Sequence, residues 1–284
     1  MIHIVNYATG RFLGAQEMQN RQWRELEGEE TIRIHSFSRP DVLPILRGLN
    51  LPNESEIANT LAVPRGDGLW AWKSVLTYHV FSDIAGDGDI VFYMDSGACP
   101  TASFSTIWAH IQAHGSLFVK VSAFECPAKV RGWLGDQMQF RERIADIGGI
   151  GFSSKLWTKP FPPAEDNPLG LPQAVVRRLR QKAPAPAVDQ TLMESEQVCG
   201  GFQGYLKAPA GGQLLCDLLD STSPWFFDDV VRPGAESRYI DHRHDQSILS
   251  LLVNAQSLAY PAFASCIVNE LPQVRLHRGY VDAS

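Results

Sequence analysis

The sequence lacks several features that mark specialised classes of protein. No apolar run reaches the ~20 residues that a membrane-spanning helix needs. The five cysteines, at positions 99, 126, 199, 216 and 266, have no paired spacing typical of a zinc site, and their odd number favours reduced thiols in a cytosolic setting. A basic surplus is also missing, since the net charge is −6 at pH 7. The charge therefore disfavours a nucleic-acid partner.

The amino terminus has neither the basic segment nor the apolar stretch of a secretion signal. We therefore expect a cytoplasmic protein that makes at most peripheral contact with the inner face of a membrane. The 284 residues suffice for one large hydrophobic core, or for one core plus an appended subdomain. No internal repeat is evident, and we predict a single domain over residues 1–284.

Short apolar segments alternate with segments of helical spacing along the chain, an order typical of a doubly wound α/β sheet. Strands are predicted at 2–7, 32–37, 89–95, 116–124 and 197–206, and helices at 16–27, 42–49, 69–84, 106–114 and 248–258. Seven prolines interrupt regular structure between positions 159 and 189. We predict that 159–189 is a surface excursion rather than a linker between domains.

A carboxylate follows one of the predicted strands. The segment 90–94 is apolar on both alternating faces, which indicates a central strand of a mostly parallel sheet, and Asp95, Ser96 and Gly97 come directly after it. Open α/β sheets bind ligands at this carboxyl end. Glycine at position 97 would let the backbone approach a ligand closely. Asp95 is therefore a candidate ligand-binding residue.

Six consecutive polar or ionisable residues, Asp241-His242-Arg243-His244-Asp245-Gln246, precede the last predicted helix. A plain helix start would use one Asp as N-cap and leave the other side chains exposed. Capping does not account for two histidines and a glutamine, and clustered His and Asp are the usual groups of metal and acid–base sites. His242 and His244 share one side of an extended segment but diverge by about 200° on a helix. Both can serve one site only if the helix begins after them.

A third motif reads Arg65-Gly66-Asp67-Gly68-Leu69-Trp70-Ala71-Trp72-Lys73. It places two glycines before a predicted helix and a lysine in the first turn, where the helix dipole disfavours a cation. An anion bound in front of the helix would reverse that effect, and a diphosphate suits backbone donors and a lysine. The alternative is that Lys73 points to solvent while Trp70 and Trp72 pack in the core.

Taken together and in this order, the motifs resemble a bacterial family of polysaccharide glycosyltransferases with the GT-A fold. The pattern of this family begins with Gly-x-Gly-x-Trp-x-Trp-Lys-Pro. Next come Gly-Asp, an apolar strand and Asp-x-Gly-Cys. A Gly-Phe strand and His-Arg-His-Asp-Gln-Ser-Ile complete it. The similarity spans roughly residues 60 to 255, and its last motif is the most specific. Two positions depart from the pattern, because Ser74 replaces the usual Pro and Ala98 separates Gly97 from Cys99.

The resemblance implies a GT-A-like, Rossmann-type fold with a mixed, mostly parallel sheet flanked by helices. GT-A enzymes carry Asp-x-Asp at the strand end, which holds Mn²⁺ or Mg²⁺ against the diphosphate of the donor. Only Asp95 remains of that pair here, because position 97 is Gly. The later part of the chain is also distantly similar to glycogenin-like transferases, in which a later His completes the metal shell. The resemblance therefore implies Asp95, His242 and His277 as metal ligands, with His244 as a further candidate.

The implied activity is transfer of a sugar from a nucleotide-sugar donor, with a UDP-sugar expected, to a glycan or lipid-linked acceptor in polysaccharide biosynthesis. Asp245 would act as the base if the reaction inverts, Gln246 would orient the sugar, and His244 is a further catalytic candidate. The excursion 159–189 would lie on the acceptor side. The expected donor-binding residues are Tyr7, Thr9, Arg65, Trp72, Lys73, Asp95, Ser96, Gly97 and Gly201.

Two other functions are consistent with the same residues. A metal-dependent phosphoesterase could use His242, His244 and Asp245 as ligands, and it would need at least two further close carboxylates. An inactive GT-A-like protein that binds glycans is allowed because the second Asp of the metal motif is absent. Turnover of sugar nucleotides, cleavage of phosphate esters and binding without turnover distinguish the three.

Overall fold

The computed structural model describes residues 1–120, 198–222, 224–227, 244–255 and 274–276. The strands are β1 (Ile2–Tyr7), β2 (Ile32–Phe37), β3 (Ile90–Met94), β4 (Ala98–Pro100), β5 (Ser116–Lys120), β6 (Val198–Leu206) and β7 (Val274–Leu276). The helices are α1 (Leu13–Glu27), α2 (Arg39–Gly48), α3 (Glu54–Leu61), α4 (Trp72–His79), α5 (Ser105–His114), α6 (Pro209–Asp220), α7 (Pro224–Phe227) and α8 (His244–Ala255). Short helical segments also occur at Gly10–Phe12, Gly66–Leu69 and Val80–Ile84.

Five strands form the central sheet, in the order β2-β1-β3-β6-β5. β1 is parallel to both of its neighbours, whereas β6 is antiparallel to β3 and to β5. Four strands therefore run in one direction and β6 runs against them. The predicted fold class, a mixed and mostly parallel α/β sheet flanked by helices, is confirmed. β4 and β7 form a separate antiparallel pair.

Helices cover both faces of the sheet, which explains why β3 is buried along its whole length. The core on one face contains residues of α2, α3, α4, α6 and α8, together with Val5, Tyr7 and Tyr93. The core on the other face contains Trp23 of α1 and residues of α5. The strand residues alternate between these two cores, as the pleat of a strand requires.

The predicted strands lie close to their predicted positions, but four helices begin three or four residues away from their predicted starts, and two of these bear on the site. The helix predicted at 69–84 begins as α4 at Trp72, because residues 66–70 all have positive φ and cannot continue a right-handed helix. The last helix, predicted to begin at position 248, already begins at His244. His244 itself has a positive φ of 51°, and His242 lies outside the described residues, so a shared site for the two histidines stays a prediction.

Several predicted features lie outside the described residues. They are His242, His277 and the excursion 159–189. Their assigned roles stay predictions, as does the single domain over residues 1–284. Among the described residues, no helix is both long and apolar enough to cross a membrane.

Candidate active site

The candidate site lies at the carboxyl ends of β1 and β3, where Tyr7 ends one strand and Asp95 follows the other. The antiparallel strand β6 passes beside Asp95, and the Asp95 N–H donates to the carbonyl oxygen of Gly201 at 2.9 Å. The first turns of α4 and α8 lie over the same region and supply Lys73 and Asp245. Five elements thus meet at one edge of the sheet.

Lys73 lies at the centre of the site and is only 7% exposed. Its Nζ lies 3.3 Å from Oδ2 of Asp245 and 3.4 Å from Oδ1 of Asp95, and it donates to the Gly200 carbonyl at 3.5 Å. Burial alone would lower the pKa of Lys73, but the two carboxylates outweigh burial and raise it. The alternative that Lys73 points to solvent is wrong. Its partners in this structure are carboxylates, which sequence reasoning did not anticipate.

Asp245 is the second residue of α8 and is buried beside Lys73. Burial, together with the nearby charge of Asp95, raises the pKa of Asp245, whereas Lys73 and the backbone N–H of Gln246 lower it, and the net result is a pKa of about 6. A carboxyl with a pKa near neutrality can both accept and release a proton. The position inside the first turn also separates Asp245 from a plain N-cap, which precedes the helix.

Asp95 is the more accessible of the two carboxylates, with 45% of its side chain exposed. The Tyr93 hydroxyl donates to Oδ1 of Asp95 at 2.5 Å, and Lys73 approaches the same oxygen. Oδ2 lies against the backbone of Gly201, where an added Cβ would come within 2.3 Å of that oxygen. Glycine at position 201 is therefore needed to keep Asp95 in this orientation.

Gly200 makes a similar close approach to α8. An added Cβ there would lie 3.0 Å from Cβ of Gln246 and 3.4 Å from Oδ2 of Asp245. The Gly200 N–H donates to Oε1 of Gln246 at 3.4 Å. The pair Gly200-Gly201 thus lets β6 pass closely beside both candidate carboxylates.

A left-handed turn precedes α4 and sets its direction. Gly66, Asp67, Gly68, Leu69 and Trp70 have φ values of 58°, 55°, 106°, 52° and 60°. A residue other than glycine in this region costs roughly 1–2 kcal/mol. Such strain persists only where the surroundings hold it, and it occurs often at functional sites.

Both glycines of the turn are required by space as well as by φ. A Cβ at Gly66 would lie 2.4 Å from the indole of Trp70, and a Cβ at Gly68 would lie 2.7 Å from Cα of Leu61. The motif Gly-Asp-Gly is therefore explained by a tight backbone turn. The turn leaves the side chains of Trp72 and Lys73 directed into the protein, since both are buried.

Tyr7 and Trp72 stack, with ring centroids 3.8 Å apart. The Tyr7 hydroxyl donates to a carboxylate oxygen of Asp67, and burial together with that carboxylate raises the pKa of Tyr7. Arg39 holds Asp67 by donating to its Oδ1 at 2.8 Å and to its carbonyl oxygen at 2.6 Å. Trp72 packs in the core, in agreement with the alternative interpretation of the Gly-Asp-Gly motif for that residue. Tyr7 is also mostly buried.

His244 is buried and has a fixed orientation. Its Nδ1 lies 2.6 Å from the carbonyl oxygen of Phe227, and because a carbonyl can only accept, Nδ1 carries the proton. Its ring lies 4.9 Å from the indole of Trp70. This hydrogen bond prevents Nδ1 from ligating a metal, since a ligating nitrogen must carry no proton.

The remaining predicted residues have more peripheral places. Thr9 precedes the short helical segment Gly10–Phe12 and accepts from the Phe12 N–H at 3.1 Å. Ser96 is buried, and its hydroxyl donates to the Tyr7 carbonyl at 2.9 Å. Arg65 is exposed, and Gly97 is half-buried in the turn after β3. The structure therefore uses Ser96 to hold the ends of β1 and β3 together.

Sequence reasoning missed several polar residues of the site. The Gln203 side chain donates to the Gly200 carbonyl at 2.5 Å, and the Tyr205 hydroxyl donates to Gln203 at 2.6 Å. Tyr93, Gln203 and Tyr205 belong to neighbouring strands in register, with Tyr93 opposite Gln203. The available signal was a polar residue at the inward positions of an apolar strand, as Gln203 is in β6. Asp67, between two glycines, was visible in the motif but was given no role.

Within the part of the chain that the structure describes, no group of three or more His, Cys, Asp or Glu side chains could hold a metal ion. Asp95 and Asp245 are separated by the ammonium of Lys73 instead of converging on a shared point. The ligands named for a phosphoesterase include His242, which lies outside the described residues, so that alternative stays a prediction. This observation leaves the roles of His242 and His277 untested.

No protein-family model and no curated protein sequence matches the chain. Among solved structures, the chain is similar to mouse xyloside xylosyltransferase 1 in its apo form, with a TM-score of 0.43 and 7% sequence identity. The similarity covers 91% of this chain and 82% of that chain. A likeness at this level carries no inference about activity.

Proposed function

We propose that the protein is a glycosyltransferase that transfers a sugar from a nucleotide-sugar donor, with a UDP-sugar as the first candidate, to a glycan or lipid-linked acceptor. The observation that carries this proposal is the cluster of Asp95, Lys73 and Asp245 at the carboxyl ends of parallel strands. Ligands of open α/β sheets bind at this edge. The motif resemblance supplies the class of donor and acceptor.

The charges of this cluster favour binding of a cation. With both carboxylates ionised, Lys73 neutralises one of them, and one negative charge remains on Asp95, Lys73 and Asp245 together. A diphosphate approaching that site alone would be repelled. Asp95 could hold a divalent cation, which would supply the positive charge needed to offset this repulsion.

The free oxygen of Asp95 suits Mn²⁺ or Mg²⁺. Tyr93 and Lys73 both approach Oδ1, so Oδ2 of a partly exposed carboxylate is left for a cation. Hard cations prefer carboxylate oxygens, and Mg²⁺ commonly takes one or two protein carboxylates together with water and substrate phosphates. One carboxylate therefore fits such a site, and His242 and His277 are proposed as further ligands. When bound, the cation would supply neutralisation of the charge that develops on the leaving diphosphate.

The protein groups have separate tasks in the proposed reaction. The Tyr93 hydroxyl and the Lys73 ammonium hold the carboxylate of Asp95 in place. Asp245 accepts the proton of the acceptor hydroxyl if the transfer inverts the anomeric carbon, and its raised pKa suits that task. Lys73 lowers the pKa of Asp245 and so keeps more of it ionised near neutral pH. Gln246, beside Gly200, is proposed to orient the sugar.

Incubation with a panel of UDP-, GDP- and CMP-sugars tests the proposal. We expect slow release of free nucleoside diphosphate from one donor class, faster with a suitable acceptor, and loss of that release in Asp95→Asn. Release of phosphate from simple phosphate esters without a sugar nucleotide would instead indicate a hydrolase. Donor binding without any release would indicate a glycan-binding protein, and neither binding nor release with any donor would refute the proposal.

The acceptor side is proposed to include the excursion 159–189, whose Arg177, Arg178 and Arg180 could meet a lipid-linked pyrophosphate or an anionic membrane surface. Deleting 159–189 should spare donor binding and donor hydrolysis and stop transfer to the acceptor. Loss of donor binding on deletion would contradict this part of the proposal.

A further inference from the structure

Helix α1 buries two glutamines on the face that it turns toward the sheet. Its buried residues are Ala15, Gln16, Gln19 and Trp23, which lie on one side of a helix. Burying a carboxamide is unfavourable unless its N–H and C=O groups form hydrogen bonds. Two buried glutamines on the inward face of α1 therefore indicate that each has specific hydrogen-bond partners.

Gln19 is fully buried, and its carboxamide donates to two backbone carbonyls. The Nε2 atom lies 2.8 Å from the carbonyl oxygen of Asp95 and 2.6 Å from that of Ala98. The Oε1 atom accepts from Nδ2 of Asn6 at 2.7 Å. Since the Ala98 N–H donates to the Asp95 carbonyl at 2.9 Å, Gln19 binds both ends of one tight turn. The turn is the segment that carries Asp95, Ser96 and Gly97.

Gln16, which lies about one helical turn before Gln19, also bonds to Asn6 but does not contact the segment 95–98. Its Nε2 donates to Oδ1 of Asn6 at 2.9 Å and to the Phe37 carbonyl at 3.1 Å. It is almost as buried as Gln19. The two glutamines therefore differ in one functional respect, which is the contact of Gln19 with Asp95 and Ala98.

Asp95 is thus held from both faces of the sheet. Lys73 and Tyr93 hold its carboxylate on the face of α4 and α8, whereas Gln19 holds its backbone from α1 on the other face. The turn is also restrained by the Asp95 N–H bond to the Gly201 carbonyl and by the Ser96 hydroxyl bond to the Tyr7 carbonyl. A shift of its backbone would change where Oδ2 points.

We propose that Gln19 is a positioning residue for Asp95, which fixes the turn 95–98 so that the carboxylate is ready for the donor and its cation. This inference rests on the proposed function for its consequence, but not for its structural content. Groups that orient a metal ligand typically change metal affinity or activity about 10- to 100-fold when they are removed. We expect a change of that size in the affinity for the donor.

The test compares Gln19→Met with Gln16→Met in the full chain, because methionine keeps the volume and removes the hydrogen bonds. Amide hydrogen exchange of the ligand-free protein is measured across residues 95–98. We expect exchange at Ala98 to accelerate at least about tenfold in Gln19→Met and to stay unchanged in Gln16→Met. Calorimetric titration with UDP and Mn²⁺ should then show about 10- to 100-fold weaker binding in Gln19→Met than in Gln16→Met.

Amide exchange at Ala98 and affinity for the donor distinguish a failure of the positioning role from a failure of the proposed function. Equal exchange at Ala98 in both variants would overturn the positioning role, whether or not the protein binds a nucleotide. Faster exchange in Gln19→Met with no binding of any sugar nucleotide by the wild type would leave the turn assignment intact and refute the proposed function. If Gln19→Met does not fold, Gln19→Asn keeps a carboxamide for Asn6 and is too short to reach both carbonyls, and the same comparison applies.

Discussion

Lys73 and Asp245 form an ion pair that joins the first turn of α4 to the first turn of α8, with Nζ and Oδ2 3.3 Å apart. The dipole at a helix N-terminus disfavours a lysine and favours a carboxylate. The pair therefore offsets an unfavourable position in α4 with a favourable one in α8. Because each partner is buried, removing either one leaves a charge that its surroundings cannot solvate.

Lys73→Met should lower the free energy of unfolding by about 3 kcal/mol at pH 8, because the buried carboxylate of Asp245 and the partly exposed carboxylate of Asp95 lose their cation. The loss should be smaller at pH 5. Asp245 has a raised pKa of about 6 in the folded protein, so it is mostly protonated at pH 5 and needs the lysine less. Denaturant unfolding at both pH values measures the difference.

Lys207→Met is the matched control for that measurement. Lys207 donates to the carbonyl oxygens of Phe81 and Ser82 instead of pairing with a buried carboxylate. Its loss should cost the same at pH 5 and pH 8. An equally pH-independent cost in Lys73→Met would show that Asp245 is not coupled to Lys73.

Asp245→Asn should reduce turnover about 100-fold, the usual contribution of a positioned acid–base group, with little change in donor affinity. In the wild type, kcat/KM should rise with pH through about 6 as Asp245 ionises. This rise of kcat/KM with pH, the acidic limb of the profile, should disappear in Asp245→Asn. A pH–rate profile of both proteins tests the assignment, and a limb that persists in Asp245→Asn would move the catalytic role to His244.

Asp245 also affects stability through its raised pKa. A carboxyl with a higher pKa in the folded state binds its proton more tightly there than in the unfolded chain. Stability should therefore fall as pH increases from about 4, the unfolded value, to about 6, the folded value. Asp245→Asn should remove this contribution, which unfolding measurements over that range would detect.

Asp95→Asn should abolish cation-dependent donor binding and leave the fold intact, because the side chain lies at a strand end and is partly exposed. The amide oxygen can still accept from Tyr93, but the charge is lost. Asp87→Asn, at the exposed turn before the other end of β3, serves as the control. Calorimetric titration with UDP and Mn²⁺ measures both, and equal affinity in the two variants would exclude Asp95 from the site.

Gly201→Ala should impair donor binding more than stability. The new Cβ would meet Oδ2 of Asp95 at 2.3 Å, and rotation of that partly exposed carboxylate relieves the clash. Gly204→Ala, in the same strand, would meet Cδ1 of Ile111 at 2.5 Å. That change should cost about 1–3 kcal/mol of stability as an overpacked core and leave binding unchanged. Melting temperature and donor affinity of both variants should show these opposite effects.

Gly68→Ala should destabilise the protein more than Gly88→Ala. Both glycines have positive φ, 106° and 82°, but a Cβ at Gly68 would lie 2.7 Å from the backbone of Leu61, whereas Gly88 has open space around it. Gly88→Ala should therefore cost only about 1 kcal/mol for its φ. Denaturant unfolding compares the two, and equal losses would mean that the left-handed turn adjusts without strain.

The sequence was sufficient to predict the five strands of the central sheet and the class of that sheet, because apolar spacing reports burial directly. The short strands β4 and β7 were not predicted. It could not predict that β6 runs antiparallel between β3 and β5, since pairing direction depends on the whole topology. The ion pair of Lys73 with Asp245 was equally inaccessible, because the two residues lie on separate helices. A positive φ at Leu69 contradicts the local preference of leucine, so the left-handed turn could not be read from composition.

The left-handed turn also has a consequence for the order of folding. The residues of Gly66–Trp70 do not favour this conformation by themselves. Arg39 of α2 and Tyr7 of β1 hold Asp67 of the turn, and Arg39 also donates to the Leu61 carbonyl of α3. Those elements must therefore assemble before the turn can close. We expect the turn to form after the rate-limiting step, so that weakening it accelerates unfolding and leaves the folding rate nearly unchanged. The left-handed turn before Lys73 would then be the last part of this region to acquire its native shape.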